Sequence, residues 1–140
     1  MPLPPVLDRF SQAQEPLWAR ILSELKAGKK RSHWMWFVFP QFKGLGRSET
    51  AERYAIQSIA EAQAYLAHPI LGKRLRECCQ ILLGLDASCA SDVFGTPDDL
   101  KLHSCVTLFS AVSNDEPVFQ AVLDKFFGGE ADPVTTALLN

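Results

Sequence analysis

Within thirteen positions the chain sets three cations, a serine, a histidine and two tryptophans ahead of a proline and a glutamine: Lys29-Lys30-Arg31-Ser32-His33-Trp34-Met35-Trp36-Phe37-Val38-Phe39-Pro40-Gln41. Cationic side chains next to a helix start suit a phosphate or carboxylate, because the first turn offers free backbone N–H groups and the positive end of the helix dipole. Ser32 is placed to be the N-cap of that helix. An indole face can stack on a nucleobase or sugar. Arg31, Ser32 and His33 are therefore expected to line an anion pocket whose wall includes Trp34 or Trp36. Gln41 and Arg47 close the opposite side if the Gly44–Gly46 loop folds back. Lys29 and Lys30 are expected to stay solvated and to steer rather than bind, as flexible ammonium groups do. The plainer alternative is a solvated basic loop feeding a core helix whose tryptophans only pack.

His33 is the candidate catalytic residue, since imidazole titrates near neutral pH. A general base also needs an orienting partner and a nucleophile within hydrogen-bond reach, and the sequence supplies neither. His68, before Pro69, reads as a helix-end residue, and His103 as an exposed or boundary one. Asp98 and Asp99 resemble a carboxylate pair, but a first helical turn after Thr96-Pro97 already accounts for two acids there. Gly44-x-Gly46 lacks the strand, helix and third glycine of a dinucleotide fingerprint. No Ser/His/Asp order, HExxH or P-loop occurs. The cysteines Cys78, Cys79, Cys89 and Cys105 form no CxxC pair, so no metal is expected, and no cofactor can be assigned. They are expected to be buried free thiols acting as small apolar groups.

The formal net charge of −2 argues against a generic nucleic-acid binder, which usually carries a strong basic excess. That total hides an asymmetry. Residues 20–47 hold seven cations against Glu24 alone, and residues 86–140 hold nine acids against Lys101 and Lys125. Either the halves lie together and partly cancel, or the basic part faces an anionic ligand. No apolar run approaches a membrane span. Residues 1–6 read as a tail and not a targeting segment, which leaves the cytoplasm as the expected location.

The elements that must position these residues read as helices. Trp18, Ile21, Leu22 and Leu25 make an apolar stripe that Gly28 ends. A first turn is expected around Asp8 to Gln14, with Glu15-Pro16 breaking it. The run 34–39 is helix or strand by its own pattern, with Pro40 closing it. Ser48 caps a helix through Tyr54, and Ser58 with Glu61 forms a capping box opening Ile59 to Ala67. Leu71, Leu75, Cys78, Leu82 and Leu85 predict a helix over about 70–84. Cys89 to Phe94 reads as a short helical turn. Thr96 is expected to cap a helix carrying Leu102, Cys105, Val106 and Phe109. Phe119, Val122 and Phe126 repeat the pattern until Gly128-Gly129, and Asp132-Pro133 opens a last helix. Leu75, Leu82, Leu102, Phe109 and Phe126 are the predicted core. The whole predicts one all-α domain over residues 1–140, of about six to eight short helices.

The basic-aromatic run, with Gly44-Leu45-Gly46-Arg47-Ser48, Ala64-Tyr65-Leu66-Ala67-His68-Pro69, Arg74-Leu75-Arg76-Glu77 and Phe94-Gly95-Thr96-Pro97-Asp98-Asp99-Leu100, resembles the small bacterial "domain of unknown function 1810" family from about Leu7 to Leu138. The resemblance implies a stand-alone, cytoplasmic, helical protein with 34–39 helical, and it brings no activity. Some relatives carry a calpastatin-like label. Calpain-inhibiting segments are disordered, whereas this composition builds a core. The expected partner is a small phosphate- or nucleotide-like anion. The alternative is a helical protein–protein interaction module or structural homo-oligomer without catalysis.

Overall fold

Amphipathic stripes and local caps divide the chain into short helices. The computed structural model of the chain describes residues 7–113 and 115–140. The tail expected over residues 1–6 lies outside them. Among the described residues the helices are α1 (Asp8–Gln14), α2 (Trp18–Lys26), α3 (Met35–Val38), α4 (Glu49–Arg53), α5 (Ile59–Ala67), α6 (Leu71–Leu83), α7 (Ala90–Phe94), α8 (Asp98–Val112), α9 (Pro117–Phe127) and α10 (Pro133–Leu139). A 3₁₀ turn, Glu15–Leu17, joins α1 to α2 at Pro16. Three of the ten, α3, α4 and α7, are single turns, which leaves seven longer helices. The all-α expectation holds. Extended pairing among the described residues is limited to one parallel bridge, Phe42 to Ile56.

Local chemistry explains most boundaries. Ser48 accepts from Ala51 N–H and Ser58 from Glu61 N–H, each capping its helix. The Glu61 carboxylate reaches back to Gln57 N–H, one residue before the cap. Asp132 accepts from Thr135 N–H and opens α10. His68 ends α5, and its Nδ1 accepts from Ile70 and Leu71 N–H, so one imidazole serves two helix ends. Lys125 donates its ammonium to the carbonyls of Leu82, Leu83 and Leu85, satisfying the C-terminus of α6. Gly128 takes the left-handed C-cap position of α9 at φ 63°.

One helix sits at the centre. α8 buries Leu102, Ser104, Cys105, Val106, Thr107, Leu108 and Phe109, nearly its full circumference, and contacts α3, α5, α7, α9 and α10. Phe10, Tyr65, Phe109 and Phe119 join the same core through ring contacts.

Four expectations need correction. Thr96 does not cap α8: Pro97 occupies the N-cap position and no side chain bonds there, which puts the Thr96 hydroxyl one residue too early. Phe126 is only half-buried, because α9 turns Phe119, Val122 and Leu123 inward and leaves Phe126 at the edge under Lys125. Cys89 is exposed at the extended N-cap position of α7, while Cys78, Cys79 and Cys105 are buried and free. Burial pushes those three thiols up, Cys79 to about 12, so they stay protonated. Lys30 is not solvated. Its side chain is 8% exposed and its ammonium lies 2.8 Å from Asp98.

Candidate functional site

The basic-aromatic segment begins with a carboxylate from α2. Ile21, Glu24 and Leu25 lie on the buried face of that helix, so Glu24 points inward at 8% exposure. Its Oε1 accepts from Arg31 N–H (2.7 Å), Ser32 N–H (3.0 Å) and the Trp34 indole N–H (2.9 Å). Its Oε2 accepts from the Ser32 hydroxyl at 2.7 Å. Burial alone would push this carboxyl up, but the four donors outweigh it and hold the pKa at about 2. Consecutive main-chain N–H groups with a hydroxyl and an indole are an anion receptor. Here the chain fills it with its own anion.

That arrangement revises the segment's local geometry. α3 starts at Met35, its N-cap position is Trp34, and no side chain caps it. Ser32 lies too early to be that cap and serves Glu24 instead. Trp34 is 0% exposed, with Phe39 and Phe94 as ring neighbours, so it has no face for a ligand. The C-terminal end of α3 is held from inside as well. Gln14, 1% exposed, donates to Phe37 O at 2.6 Å and to the Tyr65 hydroxyl at 3.3 Å.

Trp36 faces the other way. It is half-buried and forms a wall of two clefts. The first, about 380 Å³, combines Trp36 with Gln41, Arg47, Ser48, Leu100 and Lys101 among its lining. The second, also about 380 Å³, combines Trp36 with His33, Glu49, Thr50, Arg53 and Tyr54. Both volumes suit a small molecule. Lys101 Nζ sits 4.7 Å from the Trp36 ring centroid, a cation–π distance. Lys101 also pairs with Asp98 at 3.0 Å, and Asp98 pairs with Lys30 on its other oxygen. Burial raises the Asp98 carboxyl and the two ammonium groups overcome this, so the group stays ionised below the usual carboxylate range.

Leu45 and Gly46 from the Gly44–Gly46 loop, with Ser48 and Ala51 at the start of α4, line the first cleft. Backbone bonds from Ile56 N–H to Gln41 O (2.8 Å) and from Lys43 N–H to Ile56 O (2.9 Å) close the neck of this loop. Gly46 is required for the close approach, because a Cβ there would lie 2.4 Å from Ala51 Cβ. α4 buries none of its residues. Arg9 holds its end, donating to the carbonyls of Arg53 and Ala55 at 2.8 Å each.

The residues singled out by sequence thus separate. Trp36, Gln41 and Arg47 share the first cleft, and His33 and Trp36 share the second. Ser32 and Trp34 belong to the Glu24 cluster. Arg31 contributes its N–H to that cluster, while its side chain is exposed and lines none of the described clefts. Sequence reasoning missed Glu24, Lys101 and the α4 residues. Glu24 alone left a local signal, as an acid on the apolar stripe of α2. Among the described residues no group of three His, Cys, Asp or Glu side chains is placed to hold a metal ion.

The model of the family described as "Protein of unknown function (DUF1810)" matches residues 4–139. The chain belongs to the DUF1810 family. Among solved structures it is similar to the conserved hypothetical protein Rv1873 from Mycobacterium tuberculosis, with 50% identity, 95% of each chain covered and a TM-score of 0.93. A search of curated proteins finds no match. The fold described above is therefore shared with that protein, and no reaction comes with the likeness. No helix among the described residues is long and apolar enough to cross a membrane.

Proposed function

We propose that this DUF1810 protein binds a small phosphate- or nucleotide-like anion in the cleft lined by Trp36, Gln41, Arg47, Ser48 and Lys101. One observation carries the reading. Lys101 lines this cleft with its ammonium 4.7 Å from the Trp36 ring centroid. Arg47 lines the same cleft with no ion-pair partner among the described residues, and no carboxylate lines it. A guanidinium suits bidentate contact with phosphate or carboxylate, and the indole supplies an apolar face beside it.

The competing reading, an interaction module or homo-oligomer, draws less support. The exposed large apolar side chains among the described residues are Ile59, Ile70, Leu100, Val134 and Leu138. They come from α5, the turn after it, α8 and α10, not from one continuous element.

The test is tryptophan fluorescence titrated with inorganic phosphate, pyrophosphate and nucleotides, with Trp36→Phe assigning the signal. Arg47→Ala should weaken binding by roughly 10-fold or more, the loss of one charged hydrogen bond. Absence of binding by every anion up to millimolar concentration sinks the proposal, and so does an unchanged affinity in Arg47→Ala.

A further inference from the structure

We infer that the second cleft against Trp36 receives the base of a mononucleotide whose phosphate occupies the first. The inference rests on the anion reading above and narrows it to a ligand class. The two clefts have the Trp36 indole in common. α4 divides them. Glu49, Thr50 and Arg53, at i, i+1 and i+4, line the second cleft, while Ser48 and Ala51, three apart, line the first.

Their chemistry differs in the way two halves of a nucleotide differ. The first cleft has Arg47 and Lys101 and no acid in its lining. The second sets the Glu49 carboxylate against the Arg53 guanidinium, so it lacks the cationic excess of the first. Its wall is aromatic: Trp36 with Phe37 and Tyr54, the last two with ring centroids 5.4 Å apart. Around that wall stand an acceptor (Glu49), donors (Arg53), a hydroxyl that does both (Thr50) and the His33 imidazole. A flat, uncharged ring with donors and acceptors on its edge matches this set, and a nucleobase is such a ring. His33 then has a role as a contact to the base and needs no nucleophile beside it. The Gly44–Gly46 loop and α4, carrying no buried helical residue, let side chains around Trp36 adjust to the ligand without disturbing the core.

The experiment is calorimetric titration of the full chain with the four ribonucleoside 5′-monophosphates, inorganic phosphate and the unphosphorylated nucleosides. The proteins compared are wild type, Arg47→Ala and the double variant His33→Ala/Thr50→Ala. Both residues of the double variant are exposed, so the fold should persist, and circular dichroism checks it. At least one monophosphate should bind roughly 10-fold or more tightly than phosphate, one step of about 1.4 kcal/mol. The double variant should remove most of that advantage and leave phosphate affinity unchanged, whereas Arg47→Ala should weaken both ligands. If phosphate binds and depends on Arg47 but no monophosphate exceeds it, the base pocket falls and the anion site stands. An advantage that survives in the double variant also overturns the base pocket. If neither phosphate nor any monophosphate binds, both readings fall.

Discussion

Trp34 and Trp36 lie two residues apart on the same short segment, and the fold uses them in opposite ways. Trp34 is fully buried and gives its indole N–H to Glu24. Trp36 is half-buried between two clefts, with an ammonium over its ring. Both stand close to cations, and by residue type either one suits a ligand. The difference is an internal counter-group. Around Trp34 the buried Glu24 carboxylate takes the indole N–H, two main-chain N–H groups and the Ser32 hydroxyl, and Lys30 over the ring is paired with Asp98. Around Trp36 a lysine and an arginine line a cleft with no carboxylate in its lining, and the arginine has no ion-pair partner among the described residues. A basic-aromatic segment is a receptor only where the chain has not already supplied the anion.

The largest effect should separate the two tryptophans directly. Trp34→Ala removes a fully buried indole and should cost about 3–5 kcal/mol. Trp36→Ala removes a half-solvated one and should cost about 1 kcal/mol, while abolishing the fluorescence response to anions. Urea unfolding with unchanged slope measures both. Equal losses would break the comparison, for then Trp36 would be as much a core residue as Trp34.

Glu24 should come next. Glu24→Ala strands two main-chain N–H groups, a hydroxyl and an indole, and should cost about 1–3 kcal/mol. Its pH dependence has a fixed sign. The carboxyl falls from the ordinary 4.5 to about 2 on folding, so its contribution is complete above about pH 4.5 and is lost as pH drops through 2. Glu24→Gln should flatten that part of the acid unfolding curve. Asp98, also held low, supplies an acid sensitivity that remains. A Glu24→Gln curve parallel to wild type between pH 5 and 2 would remove the charged acceptor from the account.

Much of the fold was legible because its causes are local. Ser48, Ser58 and Asp132 announce helix starts by the bonds they make within four residues, and the stripe Leu71, Leu75, Cys78, Leu82 needs only the helical repeat. Thr96 shows the limit of that logic. The cap residue type was present, but Pro97 took the cap position, and a shift of one residue removes the bond. The candidate site was legible only in part. Trp36, Gln41 and Arg47 come together through a loop of a few residues, whereas Lys101 reaches Trp36, and Lys30 reaches Asp98, from more than sixty positions away. Such pairings depend on how α8 packs against α3, which no local pattern records. Glu24 lay between the two cases, for an acid on a buried stripe must have a partner, though the stripe does not name it.

The smallest expected effect is also the sharpest test of which atoms matter in the closed region. Arg31 was singled out for its guanidinium, yet what the fold uses is its main-chain N–H, 2.7 Å from Glu24. Arg31→Ala keeps that N–H and removes only an exposed side chain, so stability should change by no more than about 0.5 kcal/mol. Ser32→Ala, which deletes the hydroxyl donor to Glu24, should cost about 1 kcal/mol at the neighbouring position. Phosphate affinity should stay at the wild-type value in Arg31→Ala, since that side chain lines neither cleft against Trp36. Unfolding midpoints and the phosphate titration, run side by side on these two variants, decide the matter. A tenfold weaker phosphate affinity in Arg31→Ala would extend the open region across the Glu24 cluster and undo the division between the two tryptophans.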